Sequence, residues 1–133
     1  MKYLIDSDYV ADYLSARPQA TELLATLTKE GTSISLITYG EIYEGIHFGR
    51  DPQQTREVFR RFLRFVPVLS LTKPIMQRFA QIRGELRRTG KIIGDFDILI
   101  AATAMQHNLT LLTRNIKDYE RIPHLKLFQE IEG

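Results

Sequence analysis

Cysteine is absent from this 133-residue chain. That excludes disulfides, thiolate metal sites and a cysteine nucleophile, and it fits a reducing compartment. Long apolar runs are missing too: none approaches the roughly 20 residues needed to cross a bilayer. The opening Met1-Lys2-Tyr3-Leu4-Ile5-Asp6 puts an acid where a signal peptide would continue its apolar segment, so a cytoplasmic protein with no membrane contact is expected. The three histidines, His47, His107 and His124, show no ligand spacing, which argues against zinc. There is no internal repeat, low-complexity segment or linker. Residues 1–133 therefore read as a single domain, long enough to bury a real core.

A strong net charge is also lacking, at +2, but the charge is unevenly spread. From Arg56 to Lys91 there are ten Lys/Arg and two Asp/Glu, a local +8, which leaves −6 for the remainder. A basic middle suits phosphates and an acidic remainder suits cations. The same arginines also read as the solvated faces of amphipathic helices. Arg56 to Phe65 has that pattern, with Phe59, Phe62, Leu63 and Phe65 set at core or interface spacing.

Short apolar runs alternate with helical periodicity along the chain. Strands are expected at Tyr3–Ile5, Ser33–Ile37, Val66–Leu69, Thr110–Thr113 and, last and short, Leu125–Phe128. Pro67 argues for an edge position for the third. Helices are expected at about 8–16 and 18–30, with Pro18 at a first helical position and Gly31 as the stop. Thr38-Tyr39-Gly40-Glu41 has the form of a capping box, with Thr38 as N-cap, opening a helix that runs to Gly49. A long helix covers about Lys73 to Arg88. This alternation predicts an α/β fold with a central, mainly parallel sheet of four to five strands and helices on both faces.

The most informative stretch is Gly94-Asp95-Phe96-Asp97-Ile98-Leu99-Ile100-Ala101-Ala102-Thr103-Ala104. A helix apolar all round is a buried helix, and two acids stand at its head, where the dipole favours negative charge. Asp97, Ala101 and Ala104 share a face, so only small side chains stand behind that carboxylate. The plain reading makes Asp95 an N-cap and Asp97 an ordinary first-turn acid. In open parallel sheets, however, ligands bind outside the carboxyl ends of the strands, at a switch in strand order. Asp6 ends the first strand, Glu41 follows the second, and Asn115 and Asp118 follow the fourth. Each has its own local explanation: a cap at Asp6, the capping-box acid at Glu41, an Asx-turn at Asn115. Gathered at one edge they would repel, and a hard divalent cation, Mg²⁺ or Mn²⁺, relieves that repulsion. Phosphate chemistry is the natural use of such a site.

At these residues the chain resembles the PIN-domain ribonucleases, specifically the VapC-type toxins of type II toxin–antitoxin pairs. Leu4-Ile5-Asp6-Ser7-Asp8 is similar to the family's opening strand and first acid. Thr38-Tyr39-Gly40-Glu41 and Glu41-Ile42-Tyr43-Glu44-Gly45 resemble the second-acid helix and its opening. Asp97-Ile98-Leu99-Ile100-Ala101-Ala102 resembles the third-acid helix, and Leu112-Thr113-Arg114-Asn115-Ile116-Lys117-Asp118-Tyr119 the segment after the fourth strand.

The resemblance implies a three-layer α/β/α sandwich. It also implies a Mg²⁺-dependent endoribonuclease that cleaves RNA phosphodiester bonds with a metal-activated water. Asp6 and Asp97 would be the metal ligands, Glu41 would complete the acidic triad, and Asn115 stands where some relatives have a fourth acid. Asp118 would order its loop, Asp95 would supplement the site or cap the helix, and Ser7-Asp8 replace a more usual Thr-Asn pair. A homodimer, an RNA substrate (tRNA, rRNA or mRNA) and a cognate VapB-type antitoxin follow from the same resemblance, with the early helices and the Phe59/Phe62 helix as candidates to receive the antitoxin.

Two rivals remain at this point. One is a catalytically silent PIN-like module for RNA binding or protein interaction. The other is a structure-specific DNA nuclease, whose larger relatives carry insertions not visible here. A receiver-like phosphoacceptor would need an acceptor Asp at the end of a middle strand, and the third strand ends in Leu69-Ser70-Leu71.

Overall fold

A computed structural model describes residues 1–129. Four short strands form the sheet: β1 (Tyr3–Ile5), β2 (Thr32–Ser35), β3 (Val68–Leu69) and β4 (Thr110–Leu112). Their order is β3-β2-β1-β4, and every pair is parallel. The chain leaves β1 to build β2 and β3 on one side, then crosses to place β4 on the other. The switch in strand order therefore falls between β1 and β4, and β3 is an edge, as Pro67 requires.

Alternation along the strands sorts the core into two halves. Leu4 and Leu111 point to one face and pack with α5 (Lys73–Arg88), α6 (Asp95–Gln106) and α7 (Ile116–Tyr119), through residues such as Ile75, Ile82, Ile98 and Tyr119. Tyr3, Ile5, Ile34 and Leu112 point to the other and meet α1 (Ser7–Leu14), α2 (Pro18–Thr28), α3 (Leu36–His47) and α4 (Pro52–Leu63). This is the three-layer α/β/α sandwich. Gly31 makes the sheet possible at its start. Its φ of +99° aims its carbonyl at the N–H groups of Lys2 and Tyr3, 3.0 and 3.1 Å away, and a Cβ there would stand 2.9 Å from Met1 Cα.

Several local expectations are corrected. The helix after β2 starts three residues early: Ser35, not Thr38, is the N-cap, its hydroxyl accepting from Ile37 N–H at 3.0 Å. The capping box does not form, because Thr38 is already buried inside α3. Likewise Gly94, not Asp95, caps α6. The last expected strand, Leu125–Phe128, contributes only an isolated parallel bridge, Leu111 to Leu127, so the sheet has four strands among the described residues. Phe59 is fully buried, taking the core side of its core-or-interface spacing, whereas Phe65 is exposed.

Candidate active site

The buried helix behaves as its composition demands. Residues Ile98 to Ala104 of α6 are all buried against the sheet and α5, which holds the helix head at the carboxyl edge of β1 and β4. Asn108 ends it with a φ of 55° just past the C-cap, a conformation Asn tolerates. Asp6 is fixed from the other side. Its N–H donates to Leu112 O at 2.9 Å, continuing the β1–β4 ladder one residue past the strand. At 6% exposure its carboxylate is nearly enclosed. It accepts from Ser7 N–H at 2.8 Å through Oδ1 and from the Thr113 hydroxyl at 2.7 Å through Oδ2.

Burial pushes the Asp6 carboxyl up to about 6, a rise the Thr113 hydrogen bond opposes and the nearby charges of Asp8 and Asp97 reinforce. Against the ordinary value of 3.8, that rise costs the charged form about 3 kcal/mol. The flanking Leu4 and Ile5, fully buried, recover roughly 1.5–3 kcal/mol each. Asp97 is also raised, first by burial, then by Asp118 and Asp8, with the Tyr119 hydroxyl acting in the opposite sense. That hydroxyl donates to Asp97 Oδ1 at 3.2 Å. Tyr119 itself is wholly buried, and burial followed by the charges of Asp6 and Asp97 holds its phenol well above the usual range.

Glu41 joins through Ser7, whose hydroxyl donates to Glu41 Oε1 at 2.7 Å and lies 3.2 Å from Thr38 Oγ1. Thr38 therefore serves the second acid by tertiary contact rather than as a helix cap. Asn115 makes no capping bond; its side-chain amide donates to Asp118 Oδ2 at 3.2 Å. Asp118 is further tied to Arg121 at 3.9 Å. Asp95 turns outward to Arg83 at 2.9 Å.

The structure thus brings Asp6 and Asp97 within electrostatic reach, links Glu41 to Asp6 through Ser7, and sets Asp118, held by Asn115, within electrostatic reach of Asp97. Two participants were not singled out from the sequence, Thr113 and Tyr119; a third, Asp8, entered only as half of the Ser7-Asp8 pair, and its Oδ2 accepts from Arg114 N–H at 2.9 Å. All three lie in segments already quoted for their acids; the β1–β4 pairing brings Thr113 to Asp6 and Asp8, and α7 meeting the head of α6 brings Tyr119 to Asp97.

Among the described residues, no three or more His, Asp or Glu side chains are arranged as a ready metal cage. The donor chemistry nevertheless fits a hard cation. Mg²⁺ needs only one or two carboxylates and keeps several waters, and Asp6 and Asp97 are hard oxygen donors that repel each other. Among the described residues, neither carboxylate has a lysine, arginine or histidine partner.

A parallel α/β sheet with acids gathered at its β1–β4 switch is the architecture of the PIN-like α/β/α folds. The chain belongs to one such family, the PIN domain, whose profile matches residues 3–125. The relatives it resembles are of VapC type. It is 31% identical to Ribonuclease VapC2 of Rickettsia felis over 96% of each chain. It is 30% identical to Ribonuclease VapC2 of Haemophilus influenzae over 95% of this chain and 96% of that one. The crystal structure of VapBC2 from Rickettsia felis bound to a DNA fragment from their promoter superposes with a TM-score of 0.89 at 28% identity, covering 96% of this chain and 98% of that one.

Proposed function

We propose that this chain is a Mg²⁺-dependent endoribonuclease and the toxin of a VapBC-type pair. Asp6, Glu41, Asp97 and Asn115 form the catalytic set, and Asp6 and Asp97 hold the metal. The observation that carries this reading is charge without a protein counter-ion. Asp6 and Asp97 are desolvated, mutually repelling and held only by neutral donors. A site built that way favours a cation from outside. Mn²⁺ would serve the same oxygen donors.

When bound, the cation supplies Lewis acidity toward a water and the phosphate oxygens. The chain's own part is positioning. Thr113 and Ser7 N–H orient Asp6, Tyr119 orients Asp97, and Ser7 holds Glu41 toward the same space, where it can take a proton from the attacking water. Asn115 would hold Asp118 and lend a polar edge to the site. Single-stranded or looped RNA within tRNA, rRNA or mRNA is the expected substrate, because exposed backbone can enter an open groove.

The partner reading rests on the solved relative, which is a VapBC complex. An open apolar cleft of about 400 Å³, lined by Tyr13, Leu24, Phe62, Phe65 and Val66, gives a VapB-type antitoxin segment a place to lie. Leu36, Ile92 and Phe96, all exposed, support a homodimer that would cover them. No helix among the described residues is long and apolar enough to cross a membrane, and the reading places the enzyme in the cytoplasm.

The test is incubation of purified, antitoxin-free protein with total cellular RNA, with Mg²⁺ or EDTA, beside Asp97→Asn. Discrete products that need both the metal and Asp97 support the nuclease. Equal behaviour of folded wild type and mutant overturns the catalytic assignment, and RNA binding without cleavage would leave the silent binding module instead.

A further inference from the structure

Arg114 follows Thr113 at the acid edge, yet the chemistry above gives it no task. Its N–H donates to Asp8, and its side chain runs back along α1. Nε and Nη2 both reach Asp12 Oδ2, at 3.0 and 2.8 Å, and the guanidinium lies 4.3 Å from the centre of the Tyr9 ring. A guanidinium held on one carboxylate and one aromatic face is pre-ordered, so it loses little further freedom on binding a ligand. It is still 44% exposed.

Asp12 is shared with Arg17, whose Nε lies 3.3 Å away, so two guanidinium groups meet one carboxylate and these three side chains carry +1, with Asp8 held on the backbone N–H of Arg114. Two open clefts, of about 350 and 720 Å³, meet at Arg114 and Gln19 between α1, α2 and the turn after β4. Glu22 lines the smaller one; Arg17 lines the larger. Neither cleft is lined by Asp6 or Asp97, so Arg114 lies beside the reacting centre, not in it.

We propose that Arg114, with Arg17, binds a backbone phosphate of the RNA strand in the larger cleft, one that flanks the phosphate presented to Asp6 and Asp97. This rests on the ribonuclease reading and deepens it. An acid cluster repels a polyanion, and a strand entering it needs fixed positive charge close by. The planar guanidinium fork matches phosphate geometry, and its hydrogen bonds to phosphate are charge-assisted.

The competing account is that the Arg114–Asp12 pair merely braces α1 against the turn. The two accounts differ in sign at Asp12. If the pair is a brace, losing either partner does the same damage. If Arg114 holds phosphate, removing the Asp12 charge removes a competitor for it.

The experiment measures binding of a fluorescein-labelled single-stranded RNA to the full-length Asp97→Asn protein in EDTA, by anisotropy across a salt series. Arg114→Gln, Arg114→Lys and Asp12→Asn are each added to that background, with melting temperatures recorded alongside. Arg114→Gln should weaken binding about tenfold. It should also lower the slope of log affinity against log salt by roughly 0.7, one phosphate contact on a single strand. Arg114→Lys should restore that slope with part of the affinity, and Asp12→Asn should leave binding unchanged or tighter.

Arg114→Gln with unchanged affinity and slope overturns the site. So does equal weakening by Asp12→Asn and Arg114→Gln with matched losses in melting temperature. A wild type that cleaves RNA while Arg114→Gln binds as tightly sinks this inference alone. A wild type that neither binds nor cleaves RNA with Mg²⁺ sinks the ribonuclease reading and this site with it.

Discussion

The carboxylates at the carboxyl edge of the sheet fall into two groups by what holds them. On the rim, Asp95 pairs with Arg83, Asp12 with Arg17 and Arg114, and Asp118 with Arg121. Inside, Asp6 and Asp97 accept only from hydroxyls and backbone, namely Thr113, Ser7 N–H and Tyr119. The rim acids are paired with arginines; Asp6, buried, and Asp97, half-buried, are left without a cation among the described residues. Asp95 and Asp97 make the contrast sharpest, since they share one helical turn. Folding stability alone would favour the rim solution everywhere, because an unpaired buried charge is costly. That the chain withholds arginines from buried Asp6 and half-buried Asp97 argues that their charge is kept for something the protein does not supply.

The largest expected effect breaks this comparison directly. Asp97→Asn should lower RNA cleavage more than about 100-fold, beyond the 10–100-fold typical of residues that only support a metal ligand. Asp95→Asn, two residues away, should change it less than about threefold, in keeping with the small worth of an exposed ion pair. Equal losses in the two would erase the division between rim and interior.

Next comes the cost of the interior charge. Asp6 has its carboxyl raised from 3.8 to about 6, so the folded protein binds that proton more tightly than the unfolded chain does. Its contribution to stability is therefore best below pH 4 and is lost as pH rises through about 6, by about 3 kcal/mol in full. Melting curves in EDTA should show Asp6→Asn flattening that decline and standing above wild type at pH 8. Adding Mg²⁺ at pH 8 should raise wild type and leave Asp6→Asn less changed. Parallel curves for the two proteins from pH 4 to 7 would show that Asp6 is not the strained charge.

A smaller effect tests what orients the interior. Tyr119→Phe keeps a buried ring in place and deletes only the hydroxyl on Asp97. We expect Mn²⁺ affinity or cleavage to fall 10–100-fold with the fold intact, the usual cost of losing a ligand's supporting hydrogen bond. Unchanged metal titration and turnover would make that hydroxyl a satisfied core group and nothing more.

How far these groups could be read from the sequence differs between them. Asp6, Asp97 and the buried helix behind Asp97 were legible, because a short strand ending in an acid and an apolar run headed by acids each carry their own signal. Glu41 was legible as an acid but misplaced as a capping-box member. Ser35 competes for the N-cap, and extending α3 by a turn buries Thr38 beside Ser7. Thr113 and Tyr119 were out of reach for a different reason. Their roles come from pairing residues more than twenty positions apart in the chain, Thr113 with Asp6 and Tyr119 with Asp97, and local periodicity says nothing about that. The last strand failed because four residues, of which only Phe128 is a strong β-former, are too few to distinguish one bridge from a ladder.

The smallest effect belongs to the rim pair Arg83–Asp95. Its Nε–Oδ1 distance of 2.9 Å is short, but the side chains are 39% and 58% exposed, so water and salt screen the attraction. A double-mutant cycle with Arg83→Gln and Asp95→Asn, read by urea denaturation, should return a coupling of about 0–1 kcal/mol that shrinks at high salt. RNA cleavage offers the sharper reading. Arg83 lies on α5, beside the head of α6, and freeing it from Asp95 releases a cation next to Asp97. If the interior needs its unpaired charge, Asp95→Asn should depress cleavage slightly by letting Arg83 swing toward Asp97, and Asp95→Asn with Arg83→Gln should restore it. A double mutant no better than Asp95→Asn alone would mean that the rim pair does not guard the interior, and that the two groups of carboxylates are separate by distance and not by design.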